Sequence, residues 1–284
     1  MPDAFHLLEE TVTADVTRAL QEDVATGDLT AALIPADRVG HARLMTRVSG
    51  VLCGVEWFKR TFEELDTDVE IFWHHQDGDD IVANTSVCEI EGRARALLTA
   101  ERTAMNFVQL LSGVATKARN FVRAVEGTRA RIYDTRKTLP GLRIAQKYAV
   151  RAGGAHNHRI GLYDGVLIKE NHIMAAGSLK AAVQQALRAV TPGTMLQVEV
   201  ETLAQMEEAI GVGARLILLD NFDLPKMREA VAISGDRAEL EASGGINLKT
   251  VRSIAETGVH RISVGSLTKD VAALDLSMRF MHHQ

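Results

Sequence analysis

Residues 195–220 read MLQVEVETLAQMEEAIGVGARLILLD, and they hold one complete unit of a repeating fold. Met195–Val200 is a short apolar run, Leu203–Ile210 carries apolar residues at helical spacing, and Arg215–Leu219 is a second apolar run. Runs this short and this rich in aliphatic residues read as buried strands, with the segment between them as a crossover helix. The same pattern extends in both directions. Ala130–Tyr133 and Gly165–Ile168 precede it, and Glu239–Ala242 and Arg261–Val264 follow. Helical segments fit between the runs at Ser178–Val190, Pro225–Ile233 and Leu248–Glu256. The last four runs return roughly every 20–25 residues, the spacing of strand–helix units in a parallel sheet. Six such runs favour an α/β barrel short of the usual eight strands, with an open doubly wound sheet as the alternative.

The chain before residue 128 is of another kind. Phe5–Val24 has the spacing of a helix, Val39–Val48 and Val51–Gly54 read as strands, and Glu56–Leu65 reads as a short helix. Val69–Trp73 and Ile81–Ile90 read as strands joined across Asp77-Gly78-Asp79, and Arg93–Val125 as a long helix with a break expected near Gly113. The expected fold class is α/β: an N-terminal α/β sandwich domain over residues 1–112 and an incomplete six- or seven-stranded α/β barrel over 113–271. Residues 272–284 are expected to pack with the first domain.

Composition narrows the function. The 284 residues are 46% hydrophobic and 24% charged, ordinary globular values, with a formal net charge of −5. No apolar run is long enough to span a membrane, and Met1–Glu10 lacks the basic start of a secretion signal, so a cytoplasmic protein is expected. Cys53 and Cys88 stand alone, without metal or redox spacing, and read as two reduced thiols. An acidic whole disfavours nucleic acid as a partner. The charge is nonetheless uneven. Between Arg129 and His172 there are nine Lys and Arg against three Asp and Glu, a local +6 that leaves −11 on the rest. Such an enclave suits a small, multiply charged anion.

Each apolar run of the second half ends in polar residues: Asp134-Thr135-Arg136-Lys137, Lys169-Glu170-Asn171-His172, Glu199 with Glu201, Asp220-Asn221, Glu241 to Gly245, and Gly265-Ser266. Catalytic groups of parallel α/β folds gather at those strand ends. Alternation along Val198-Glu199-Val200-Glu201 puts both glutamates on one face. Ser243-Gly244-Gly245 and Val264-Gly265-Ser266 follow the last two strands, where barrel enzymes bind phosphate on backbone N–H groups at helix starts. Pro140 suits the first turn of a helix that Gly153-Gly154 ends, which leaves Arg136 and Lys137 in a strand-to-helix loop. His156-x-His158 has the look of a metal pair, but the later strand ends offer no further histidine, and Mg²⁺ held by oxygen ligands suits the set better.

Thr135-Arg136-Lys137-Thr138-x-Pro140-Gly141, Gly153 through Leu162, Lys169-Glu170-Asn171-His172, Ser243-Gly244-Gly245-Ile246 and Glu101 through Asn106 closely resemble the quinolinate phosphoribosyltransferase family over nearly the whole chain. The resemblance implies a homodimer that joins phosphoribosyl pyrophosphate to quinolinate, with Mg²⁺ required and nicotinate mononucleotide, pyrophosphate and carbon dioxide as products. It implies quinolinate carboxylates on Arg136, His158, Arg159 and Lys169, with Arg102 reaching in from the neighbouring subunit. Lys137 would bind the pyrophosphate or both substrates, beside Thr135. Glu199 and Asp220 would hold ribose hydroxyls or Mg²⁺. Ser243, Gly244, Gly245, Val264, Gly265 and Ser266 would cradle the 5′-phosphate. Lys137, Lys169, Glu199 and Asp220 are thus the expected catalytic set. Three other readings stand beside it: a related transferase group that accompanies molybdate transport, an aldolase forming a Schiff base on Lys169, and a non-catalytic anion sensor.

Overall fold

β8 (Met195–Val200) and β9 (Leu216–Asp220) lie side by side and parallel, with α7 (Leu203–Gly211) between them in the chain. They belong to a parallel sheet of six strands in a computed structural model that describes residues 8–281. The spatial order runs β6 (Arg131–Tyr133), β11 (Arg261–Ser263), β10 (Glu239–Ser243), β9, β8, β7 (Gly165–Ile168). A single parallel bridge, Tyr133 to His156, adds one residue of a further strand beyond β6. These elements form one unit of the chain, residues 120–139 and 155–269.

Alternation sorts the side chains of this sheet. Val198 and Val200, Ile217 and Leu219, Leu240 and Ala242, and Ile262 are almost wholly buried on one face. The opposite face carries Gln197 and Glu199, Leu218 and Asp220, Glu241 and Ser243, and Ser263. Helix starts are set by local chemistry. Asp223 caps α8 (Leu224–Ser234), accepting from the N–H of Lys226 at 2.8 Å with Pro225 in the first turn. Thr202 caps α7, and the Gln205 carboxamide oxygen accepts from the N–H groups of Glu201 (2.8 Å) and Thr202 (3.2 Å). That box ends β8 at Val200. Glu201 is therefore exposed outside the strand, and only Glu199 of the expected pair sits on the polar face.

Three further boundaries differ from the sequence reading. α5 (Glu170–Ala176) follows β7 directly, and none of its residues is buried, so it has no apolar stripe to announce it. α4 runs Arg143–Ala152, so Pro140 precedes the helix instead of occupying its first turn. α9 (Val251–Ala255) starts only after a turn in which Asn247 and Thr250 bond to each other, so the Gly244-Gly245 loop does not open straight into a helix.

The other unit comprises residues 8–119, 140–154 and 270–281. Its main sheet is antiparallel in the order β12 (Leu276–Phe280), β1 (Val39–Thr46), β5 (Ser86–Arg93), β3 (Glu70–Trp73). Ala42, Leu44, Val87 and Ile90 of the sheet share a core with Phe58 and Phe62 of α2 (Val55–Glu63) and with Leu97, Ala104 and Val108 of α3 (Ala94–Ala124). Ile81–Ile90 is two strands: β4 (Asp80–Ile81) pairs with β2 (Gly50–Val51), and the chain turns at Asn84 (φ 66°) before β5 begins. Asparagine tolerates that left-handed turn. α3 (Ala94–Ala124) is unbroken. Gly113 is there for contact: a Cβ would lie 2.1 Å from the carbonyl oxygen of Ala272, so only glycine lets that segment pass. Cys53 and Cys88 are free and buried, and burial pushes both thiols up. Among the described residues no helix is long and apolar enough to cross a membrane.

Candidate active site

The polar face of the parallel sheet gathers its ionisable groups toward the carboxyl ends of the strands. Glu199 stands opposite Leu218 in the register of β8 and β9, so Asp220 lies one inward position nearer the strand ends, level with Ser243. Lys169 follows β7 as the N-cap residue of α5, and its Nζ donates to Glu199 Oε2 at 2.8 Å. The backbone N–H of Lys169 donates to His172 Nδ1 at 3.0 Å, so the run Lys169 to His172 is the N-terminal turn of α5.

The segment after β6 is held from beneath. Asp134 is fully buried, and its carboxylate accepts from the His158 N–H (2.8 Å) and from Asn157 Nδ2 (2.6 Å). Asp134 N–H in turn donates to the His156 carbonyl at 3.0 Å. This clamp presents Arg159, whose Nη1 donates to the Gly165 carbonyl at 2.8 Å. Asp164 closes the loop that follows, accepting from the N–H groups of Ile160 (2.7 Å) and Gly161 (2.8 Å). Burial, and then the like charge of Arg136, pull Arg159 below the ordinary arginine value, while Asp164 works the other way. Arg136 Nε is buried without a hydrogen-bond partner. A guanidinium with a donor left over is the kind of group that binds a carboxylate or phosphate.

Lys137 is exposed, and its backbone is pinned at both ends: its N–H donates to Thr135 Oγ1 (3.1 Å) and its carbonyl accepts from Thr268 Oγ1 (2.8 Å). Its side chain passes over Gly265, where a Cβ would stand 3.1 Å from Lys137 Cδ and 3.9 Å from Nζ. The loop after β6 and the loop after β11 are thereby one surface. α10 (Ser266–Lys269) begins directly after Gly265. Gly244 has φ 107°, and a Cβ there would meet Asn221 Oδ1 at 2.1 Å. Asn221 Nδ2 donates to Asp220 Oδ2 at 3.0 Å, which links the glycine loop to the carboxylate.

Thr135, Arg136, Lys137, His158, Arg159, Lys169, Glu199, Asp220, Ser243, Gly244, Gly245, Val264, Gly265 and Ser266 all fall in the parallel-sheet unit, on its strand ends and the loops that follow. Arg102 is exposed on α3, in the other unit. His156 and His158 do not form a pair. His156 is exposed and stacks on Tyr133, whereas His158 is buried with both ring nitrogens engaged, Nδ1 by the Arg159 N–H (2.8 Å) and Nε2 by Gln197 Oε1 (2.7 Å). Asn157 and Gln197 were not singled out in the sequence. Gln197 had a signal, since it shares the strand face of Glu199 two residues away. Among the described residues no three His, Cys, Asp or Glu side chains form a metal cage.

Comparison with known proteins follows this geometry. The profile described as quinolinate phosphoribosyl transferase, N-terminal domain, matches residues 24–112, and the C-terminal domain profile matches residues 114–279. A nicotinate-nucleotide pyrophosphorylase (carboxylating) of Mycobacterium leprae is 42% identical over 270 residues, covering 93% of this chain and 95% of that protein. Quinolinate phosphoribosyltransferase (decarboxylating) 1b of Nicotiana tabacum is 37% identical over 281 residues, covering 92% and 80%. The solved nicotinate-nucleotide pyrophosphorylase of Francisella tularensis superposes with a TM-score of 0.94 at 42% identity, over 96% of this chain and 97% of that one.

Proposed function

The chain belongs to the quinolinate phosphoribosyltransferase family, and on that premise we infer that it works as its relatives are named to do. It is a pentosyltransferase of pyridine nucleotide biosynthesis. It transfers the phosphoribosyl group of phosphoribosyl pyrophosphate to the ring nitrogen of quinolinate and releases pyrophosphate, carbon dioxide and nicotinate mononucleotide.

The observation that carries the residue assignment is the cluster of Arg136 and Arg159, with an unpartnered buried donor on Arg136. Two like charges held together lose stability in the free protein and regain it when a dianion arrives, and quinolinate is a dianion. Arg136 and Arg159 take its carboxylates. Lys169 joins them by leaving Glu199, and that exchange frees the Glu199 carboxylate. As pyrophosphate departs, positive charge builds on the ribose. Glu199 and Asp220 stabilise that charge more in the transition state than in the ground state. Lys137 neutralises the departing pyrophosphate, and the loops at Ser243–Gly245 and Val264–Ser266 hold the 5′-phosphate. Once the ring nitrogen is bonded to ribose it becomes the electron sink for loss of the 2-carboxylate. Loss of carbon dioxide leaves an electron pair on C2 that a proton from water must take up, so the protein has to orient that carboxylate and admit the proton.

Glu199 and Asp220 offer oxygen donors of the kind Mg²⁺ prefers and would be the residues that hold it. When bound, Mg²⁺ supplies charge neutralisation at the diphosphate. In this reading the protein is a cytoplasmic homodimer, and Arg102 serves the neighbouring site. Lys169 does not suit a Schiff base, because it is exposed and paired with Glu199 instead of enclosed by apolar groups.

The test is a turnover assay with quinolinate, phosphoribosyl pyrophosphate and Mg²⁺, following nicotinate mononucleotide and carbon dioxide, with nicotinate in parallel. Product from quinolinate alone is expected. Product from nicotinate alone would move the assignment to a transferase that reads one carboxylate.

A further inference from the structure

We propose that Gln197 is a positioning residue for quinolinate binding: from the floor of the parallel sheet it fixes one tautomer of His158, and His158 in turn holds the backbone of Arg159. One donor in this chain of bonds cannot be reassigned. The Arg159 backbone N–H donates to His158 Nδ1 at 2.8 Å, so Nδ1 is an acceptor and carries no hydrogen. The ring proton of the neutral imidazole is then on Nε2, which faces the Gln197 side chain at 2.7 Å. Gln197 must therefore present its oxygen to that proton and turn its amide nitrogen away. The relay runs Gln197 Oε1, His158 Nε2–H, His158 Nδ1, Arg159 N–H, and it ends at the backbone of the residue whose guanidinium the proposed function assigns to a quinolinate carboxylate.

The floor beneath the ring reinforces this tautomer. Glu241, on β10, has no exposed surface. Its Oε1 accepts from Ser263 Oγ and lies 3.8 Å from His158 Nε2. An Nδ1–H tautomer would set a bare Nε2 lone pair against that carboxylate as well as against the Gln197 oxygen. Among the described residues neither Gln197 Nε2 nor Glu241 Oε2 has a hydrogen-bond partner, although both side chains are fully buried. Polar groups kept in a closed interior with part of their bonding capacity unused are costly to the fold, which points to a role in the site above them. On β8 Gln197 lies one inward position below Glu199, and on β10 Glu241 lies one below Ser243. The pair is the second layer under the proposed catalytic carboxylate and phosphate loop.

This inference rests on the quinolinate reading, and the two are separable. Long-range ¹H–¹⁵N correlation of the ¹⁵N-labelled full-length protein reads the His158 tautomer without any turnover. The Nε2–H form is expected in the wild type, unchanged when quinolinate is added. An Nδ1–H form, or loss of the Nε2 proton to quinolinate, would overturn the proposal whatever the enzyme's activity. Gln197→Met keeps the length of the side chain and removes the acceptor. By calorimetry it should weaken quinolinate by about tenfold, the equivalent of one hydrogen bond, and leave phosphoribosyl pyrophosphate unchanged. Wild-type quinolinate affinity in folded Gln197→Met, or equal weakening of both substrates, would reduce Gln197 to a packing role. If Gln197→Met does not fold, the wild-type tautomer decides alone.

Discussion

Lys169 and Glu199 hold each other across neighbouring strands, Nζ to Oε2 at 2.8 Å, at the point where the anion receptor meets the carboxylate expected to face the ribose. On the proposed assignment the pair couples the two halves of the reaction, because a quinolinate carboxylate that claims the lysine also releases the glutamate. Glu199→Gln separates the two roles. Turnover should fall about 100-fold through loss of transition-state charge stabilisation. Quinolinate affinity should hold or tighten, since Lys169 no longer has a charged competitor. Single-turnover kinetics and calorimetry measure the two quantities, and unchanged turnover would remove Glu199 from the mechanism.

Lys137→Ala tests the other half of the site. Its side chain overlies Gly265, in a loop that the proposed function assigns to the 5′-phosphate. The variant should bind phosphoribosyl pyrophosphate about tenfold or more weakly, the loss of one charged contact, with quinolinate nearly unaffected. The reverse pattern in calorimetry would reject the assignment.

Gly244→Ala should be damaging out of proportion to its size. The residue has φ 107°, and the added methyl would displace the Asn221 carboxamide that bonds Asp220. A stability loss of about 1–3 kcal/mol is expected from the strained backbone. Weaker phosphoribosyl pyrophosphate binding should accompany it. Chemical denaturation and calorimetry on the same preparation check both.

Arg102→Ala should abolish turnover although Arg102 lies outside the parallel-sheet unit. Mixed with Lys169→Ala, it should recover part of the activity through hybrid dimers that carry one intact site. No recovery in hybrids verified by mass spectrometry would count against a site shared between subunits.

Asp66 gives a prediction about stability alone. Its buried carboxylate accepts from Arg93 Nε (2.9 Å), Nη2 (2.6 Å) and backbone N–H (2.8 Å), and these bonds hold it below the usual aspartate value. A carboxyl that titrates lower in the folded chain stabilises it fully above the unfolded value of about 4. That stability is lost as pH falls through the lower folded value. Asp66→Asn should cost about 2 kcal/mol at neutral pH and flatten the acid limb of Tm against pH. An unchanged acid limb would show that other carboxylates govern it.

The fold was legible wherever burial wrote a periodic pattern. The strands of the parallel sheet are buried on their outer faces by aliphatic residues, so Met195–Val200, Gly165–Ile168 and Glu239–Ala242 announced themselves within a residue of their bounds. α5 did not, because a helix with no buried residue leaves no stripe. Gly113 misled for a related reason: it reads as a helix breaker, whereas the passage of Ala272 is a contact made far along the chain. In the site, charged residues at strand ends were visible one by one. Their partners were not, because Lys169 with Glu199 and His158 with Gln197 are neighbours only after the strands align. Glu201 was misplaced because the Thr202–Gln205 cap, a feature of the helix, decides where the strand stops.

The strand β12, Leu276–Phe280, carries a consequence for synthesis. It pairs with β1 along Ala42–Thr46, and Gln109 holds the segment leading into it through Leu274 and Leu276. β1 leaves the ribosome well before β12. Until β12 emerges the open edge of β1 exposes unpaired N–H and C=O groups, the kind of edge on which nascent chains aggregate or chaperones bind. The sheet that β1 opens is thus completed only after the whole parallel-sheet unit has been made, and a change within Leu276–Phe280 acts on a strand laid down about 230 residues earlier in the chain.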